Sequence, residues 1–236
     1  MGHNIVEETS LVPVISKAQF DDVAREFLNE YFPQALETPM KVPIVDIAKN
    51  KIGLKVITEY RLSEDFSIYG QICFTSGLAT IYDRDEDEYR DLKVRRGTVF
   101  IDPDTLRERN IGCMHNTVAH ECVHWYKHRN YYLYNNGRDD KRSVAFRCPT
   151  EEKDESFQRK WRDEDWMEWQ ANGIAPRILM PKEMFIQSAG SFIREGYELF
   201  DDSLPFWWVQ NKLAELFDVS KQSAGIRMRE LDISVN

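Results

Sequence analysis

The segment NTVAHECVHWYKH, residues 116–128, places His120, Glu121 and His124 in the pattern H-E-x-x-H. On a helix, side chains four residues apart sit one turn above one another, so both imidazoles can converge on a single ion. Glu121, advanced about 100° around the ~3.6-residue turn, projects beside that ion and is free to act as a base. The chemistry such a pattern serves is metal-assisted hydrolysis. Cys122 and Val123, with Val118, Ala119 and Tyr126, form the opposing apolar face that anchors the helix to a core.

A catalytic zinc takes three protein ligands and leaves a fourth position for water, so a third ligand must come from elsewhere. The metzincin arrangement would put a histidine six residues beyond His124, but that position is Asn130. A carboxylate is needed instead. Glu168 is a candidate because it lies in a helically periodic segment, with Glu164 and Asp165 as rivals on the same stretch. Asn172 follows Glu168 on the same face and is placed to hydrogen-bond a ligand imidazole from behind. His128 continues the face of His124 one turn on, and His115 lies just before the helix. Both read as structural or surface residues, with His128 also able to donate to a substrate carbonyl. Tyr126, Tyr131, Tyr132, Tyr134 and Arg177 are open candidates for stabilising an oxyanion. Cys113 and Cys122 lie near histidines and raise a cysteine hydrolase as a rival. Cys122 projects about 200° from His120, toward the apolar side, where a small buried thiol is the ordinary outcome.

The elements that must position these residues follow from periodicity. Phe20, Val23, Phe27 and Tyr31 predict an amphipathic helix within residues 17–36 that ends near Pro33. A second helix is expected over Pro43–Lys51, with Gly53 marking the change to the extended segment GLKVITEY. The runs SIYGQICF, LATIYD and GTVFID then alternate with a period near two and predict one small, mostly antiparallel sheet. Residues 130–165 are crowded with charge and read as a long surface connection. Met167, Ala171, Ile174 and Ile178 restore helical spacing over 164–181, where Pro176 is expected to kink or break the helix. The final stretch reads as two short helices around Asp218–Ser220.

Composition bounds the function classes. The chain has 236 residues, 42% apolar and 30% charged, with 31 Lys and Arg against 40 Asp and Glu for a net charge of −9. That balance repels phosphate backbones and argues against a general nucleic-acid binder. No run approaches the ~18–20 apolar residues of a membrane helix, and the acidic start does not resemble an export signal. The 4 cysteines are too few for a disulfide scaffold and read as reduced thiols in the cytoplasm.

NTVAHECVHWYKH followed by EWQANGIAPRILMP resembles the ImmA/IrrE-type zinc metallopeptidase family, which pairs an H-E-x-x-H helix with a later E-x-x-A-N helix ending in Leu-Met-Pro. Glu168, Ala171, Asn172, Leu179, Met180 and Pro181 match that second signature in register. The resemblance implies that His120, His124 and Glu168 hold Zn2+ and that Glu121 is the catalytic glutamate. GTVFID also resembles the family's last strand before its motif, so the similarity extends over residues 40–182. The implied architecture is α+β: a zincin-like core over 38–182 with a small mixed or antiparallel sheet, containing a connection at 130–165 longer than is usual in the family. A helical segment, 1–37, precedes it, and a helix-turn-helix-like helical segment, 183–236, follows.

The resemblance further implies a cytoplasmic bacterial endopeptidase that cleaves one protein, commonly a helix-turn-helix repressor encoded nearby that governs a stress response or mobile element. The alternatives are a metal-stabilised module that sequesters a regulator without cutting it, and a DNA-binding regulator acting through its C-terminal segment. From Pro205 onward Lys212, Lys221, Arg227 and Arg229 are balanced by Glu215, Asp218, Glu230 and Asp232, which gives DNA little pull. Packing or partner binding is the expected role of that tail.

Overall fold

The structure, a computed structural model, describes residues 11–135, 141–149, 161–200 and 204–235. Helix α1 (Phe20–Tyr31) buries Phe20, Val23, Ala24, Phe27 and Leu28 and stops two residues before Pro33, as its spacing predicts. Helix α2 (Ile44–Asp46) opens after Pro43 and continues as a π-helical turn over Ile47–Ile52. Gly53 ends it at φ +82°, a left-handed conformation that only glycine adopts without a steric cost.

Among the described residues six strands follow: β1 (Lys55–Ile57), β2 (Ile68–Cys73), β3 (Gly77–Asp83), β4 (Glu88–Val94), β5 (Thr98–Ile101) and β6 (Ala145–Pro149). The main sheet has the order β1-β5-β2-β6, with β1 parallel to β5 and the other pairings antiparallel. This corrects the expected single sheet in two ways. LATIYD lies in β3, which leaves the main sheet and pairs with β4 as a separate hairpin. β6 arises inside the charged stretch expected to be only a surface connection, of which residues 136–140 and 150–160 lie outside the described residues.

Alternation along the strands divides the sheet into two faces. Ile72, Phe74, Val99 and Ile101 pack with the helices, whereas Cys73 and Phe100 pack with Leu62, Ala79, Ile81 and Val94 under the β3–β4 hairpin. Helix α3 (Ile111–Val123) lies on the first face and runs on through a π-helical turn, His124–His128, into α4 (Arg129–Asn135). Helix α5 (Asp163–Leu179) packs against both α3 and α1. It passes through Pro176 without the break that was one of the two expected outcomes. The carbonyl that Pro176 leaves without a donor belongs to Asn172, an exposed residue where solvent can satisfy it.

Helices α6 (Lys182–Phe200), α7 (Phe206–Phe217) and α8 (Lys221–Glu230) complete the chain. The expected junction after α7 is present, with Asp218 at φ +54° and the Ser220 hydroxyl capping the Ser223 amide of α8. Gly112 lies so close to the backbone of Val219 and Ser220 that no side chain fits there. His115 Nδ1 stands 3.2 Å from the Asp218 carbonyl, a structural role of the kind expected for it. Val209, Leu213, Phe217 and Met228 belong to the same core as Phe27, Val118 and Ile174. The first and last helices also meet in a charge cluster: Arg227, 2% exposed, pairs with Asp21 and Glu230, and Arg177 of α5 bridges the same two carboxylates.

Candidate metal centre

Asn110 starts helix α3 by accepting a hydrogen bond from the Cys113 amide at 2.9 Å. Val118, Ala119, Cys122 and Val123 then fix the helix to the core, Cys122 on the apolar side as its angular position predicts. The same packing buries His120, Glu121, His124 and His128 to 1% exposure or less. Buried polar side chains require partners, and the three histidines find theirs in two directions.

Toward α5, His120 Nε2 and His124 Nε2 face each other at 2.9 Å. Glu168 places Oε1 3.3 Å from the first and Oε2 3.6 Å from the second. Ligands held at about 2.0–2.2 Å from a tetrahedral ion stand roughly 3.3 Å apart, so these donors have the spacing of a metal site. Burial by itself would raise the Glu168 carboxyl, but the charge and hydrogen bond of His120, with the nearby His124 adding to them, outweigh it and hold it well below the carboxylate range. His120 moves the other way: burial disfavours its charge, and Cys148 and Glu168 together raise it well above the ordinary imidazole value.

Away from Glu168, a hydrogen-bonded chain fixes the tautomers. Gln170 Nε2 donates to the Pro13 carbonyl at 2.8 Å, so its Oε1 is the acceptor facing His128 Nε2 at 3.0 Å. His128 therefore carries its proton on Nε2 and accepts at Nδ1, where His124 Nδ1 lies 3.0 Å away and donates. His124 Nε2 is left with a lone pair pointing toward His120 and Glu168. Burial pushes both imidazoles toward the neutral form this chain needs, His124 to about 4 and His128 well below its usual value.

Glu121 has both carboxylate oxygens buried without a hydrogen-bond partner, and burial pushes its carboxyl up to about 8. It fits under β2 only because residue 70 is glycine: a Cβ there would stand 2.6 Å from Glu121 Oε1. Cys148 of β6 is the register partner of Gly70. Donor atoms of His120, Glu121 and Cys148 lie within 4.8 Å of one another, as do those of His120, His124 and Glu168.

The structure thus brings together His120, Glu121, His124, Glu168 and His128. Asn172 is exposed and its amide contacts Glu168 Oε1 at 3.5 Å, so it touches the carboxylate rather than the expected imidazole. Glu164 accepts from Tyr131, and Asp165 caps the Arg162 amide, which takes both rivals of Glu168 to other tasks. Tyr126 packs on Phe27 and Tyr31, Tyr134 is exposed, and Arg177 sits in the cluster with Asp21 and Glu230. Tyr132 stacks on Phe74 and lies 5.7 Å from the ring of Phe146. Gln170, Cys148 and Gly70 were not found by sequence reasoning. Gln170 had a usable signal, since it is a buried amide on the helix that carries Glu168.

Among the described residues no helix is long and apolar enough to cross a membrane, and Cys73, Cys113, Cys122 and Cys148 are all free thiols. No curated protein matches the chain. A family model, Peptidase_M78, described as the IrrE N-terminal-like domain, matches residues 78–229. The matched region begins in β3, later than the resemblance read from residue 40, and continues past 182 through nearly all of α8. It covers more than half of the sequence and takes in both the motif helix and the helix of Glu168, and on that extent the chain belongs to the IrrE N-terminal-like family of metallopeptidases.

Proposed function

We propose that this protein is a zinc-dependent endopeptidase with a zincin-like core. The observation that carries the reading is the convergence of His120 Nε2, His124 Nε2 and Glu168 at 2.9–3.6 Å beside a fully buried, unpartnered Glu121 carboxylate. Two imidazoles and a carboxylate are borderline donors suited to zinc, and Glu121 is an orphan that a site water would satisfy. His120, His124 and Glu168 would hold the ion, which when bound polarises the scissile carbonyl and acidifies water.

Glu121 accepts the proton of the attacking water and returns it to the leaving nitrogen. Its burial strengthens it as a base, because a carboxylate out of water binds a proton more tightly. His128 and Gln170 act behind His124 and keep its Nε2 lone pair directed at the site. The substrate is a protein, which we assign to the class of helix-turn-helix repressors, and the site of action is the cytoplasm. The acidic chain suits attraction to a basic DNA-binding substrate and works against direct DNA contact.

The test is incubation of the purified chain with a repressor encoded beside it, followed by mass analysis of fragments. The expected protein holds about one zinc, and Glu121→Gln keeps the metal while losing cleavage. Cleavage by Glu121→Gln would overturn the assigned role. Complex formation with no fragments from the wild-type chain would replace the peptidase reading with sequestration.

A further inference from the structure

Two stretches of this acidic chain hold cations and no acid. Residues 47–58 carry Lys49, Lys51 and Lys55, and residues 92–101 carry Lys93, Arg95 and Arg96. The fold brings the two together: β1 runs parallel to β5, so both strands start at the same end of the sheet, and the Lys55 amide donates to the Gly97 carbonyl at 2.8 Å. All six cations are exposed, and none has a carboxylate partner among the described residues. The flanking acids are occupied elsewhere: Asp46 accepts from the Asn50 side chain, Glu59 from the Thr58 amide, and Asp91 pairs with Arg142. Arg96 lies instead over the ring of Trp125, 5.3 Å from its centroid, and Leu54 and Trp125 both approach Gly97 beside it.

We propose that this end of the sheet is a docking surface for an acidic segment of a partner protein. Charge selects the partner. The chain as a whole carries −9, so an anionic segment is repelled by most of the surface and drawn to a face where six cations lie within two short stretches. The guanidinium groups of Arg95 and Arg96 suit carboxylates, which they grip through paired N–H donors. A long polyanion such as a DNA duplex would extend past these cations onto repelling surface, whereas a short acidic segment need not.

The surface adjoins the metal centre without being part of it. Trp125 directly follows His124 in the chain. Cys73, whose carbonyl accepts the Gly97 amide, lies three residues along β2 from the Gly70 that covers Glu121, a separation of about 10 Å. A partner held here is close to the site, yet its docking uses none of His120, Glu121, His124 or Glu168. The proposal is therefore independent of the zinc reading.

Fluorescence anisotropy of a labelled oligo-glutamate peptide, titrated with the full chain, tests the proposal without reference to activity. The expected binding is saturable, is the same for zinc-loaded and chelator-treated protein, and fades as ionic strength rises toward about 1 M, where the Debye length is about 3 Å. A triple variant, Lys55→Glu with Arg95→Glu and Arg96→Glu, should weaken it by at least about tenfold, since each reversal replaces an attraction with a repulsion. The control reverses Lys17, Lys182 and Lys221 to Glu, which are also exposed and lie on other elements. It makes the same change in net charge and should leave most of the affinity. Equal weakening by both triple variants would reduce the effect to net charge and overturn the surface. No binding by the wild type, or binding only when zinc is loaded, would overturn it as well and leave the peptidase reading untouched. Tighter binding of a DNA duplex or of phosphatidylserine vesicles than of the peptide would overturn the choice of partner.

Discussion

His124 Nδ1 and His128 Nδ1 face each other at 3.0 Å, and the Gln170 amide decides which of them holds the proton. Replacing Gln170 by leucine removes the acceptor that the described residues place at His128 Nε2 and frees both rings to change tautomer. Such partners behind a ligand are worth roughly 10–100-fold in metal affinity. Competition with a chromophoric chelator should show Gln170→Leu weakened by that factor, with the fold retained by circular dichroism. An unchanged affinity would remove Gln170 from the site.

Gly70 makes a different demand. A methyl group at this position would meet Glu121 Oε1 at 2.6 Å and Thr117 Cγ2 at 2.8 Å. Gly70→Ala is therefore expected to displace the Glu121 carboxylate and cost about 1–3 kcal/mol of stability through overpacking. The informative signature is a fall in kcat with zinc content unchanged, since none of the three proposed ligands is touched. Loss of zinc in parallel with activity would mean that β2 supports the ligands directly.

The charge cluster between the first and last helices predicts a stability effect far from the chemistry. Arg227 and Arg177 share Asp21 and Glu230, and Asp21→Ala leaves two largely buried guanidinium groups with one carboxylate. Removing one partner of a buried pair costs roughly 3–5 kcal/mol, and the partial exposure of Asp21 places this variant at about 2–3 kcal/mol. Urea unfolding should show the midpoint lowered. A double variant in which Arg227 is also replaced by methionine should recover part of the loss.

Metal removal should be visible in thermal unfolding. At a free zinc concentration about 100 times Kd, an ion that binds only the folded chain contributes about 2.7 kcal/mol, roughly 5–10 °C for a chain of this size. Glu168→Gln should shrink that difference between zinc-loaded and chelator-treated protein. An equal zinc-dependent shift in the wild type and in Glu168→Gln would place the stabilising ion elsewhere.

Sequence spacing located the donors because helix geometry is local. His120 and His124 converge by their four-residue separation alone, and Glu168 was legible from its periodic helix and from the matching Glu168, Ala171 and Asn172 signature. What stayed hidden depends on pairings distant in the chain. Cys148 reaches the site only because β6 joins β2 across more than seventy residues, and its segment shows too few apolar positions to advertise a strand. Gly70 looks like an ordinary strand glycine until α3 is packed beneath it. β4 is largely exposed and charged, so it carries no hydrophobic alternation and reads as the gap between β3 and β5. Pro176 does not break its helix for the opposite reason: its local rule is sound, but the carbonyl it leaves without a donor belongs to an exposed residue.

The grip of Gln170 on the Pro13 carbonyl reaches beyond the orientation of one imidazole. It ties the backbone leading into α1 to the site through only two side chains, Gln170 and His128. A binding partner that pulls on residues 11–16 would disturb the tautomer of His124 and weaken zinc. Thermodynamic reciprocity would then require that zinc at the proposed site weaken the partner by the same factor, which would couple this segment to metal occupancy.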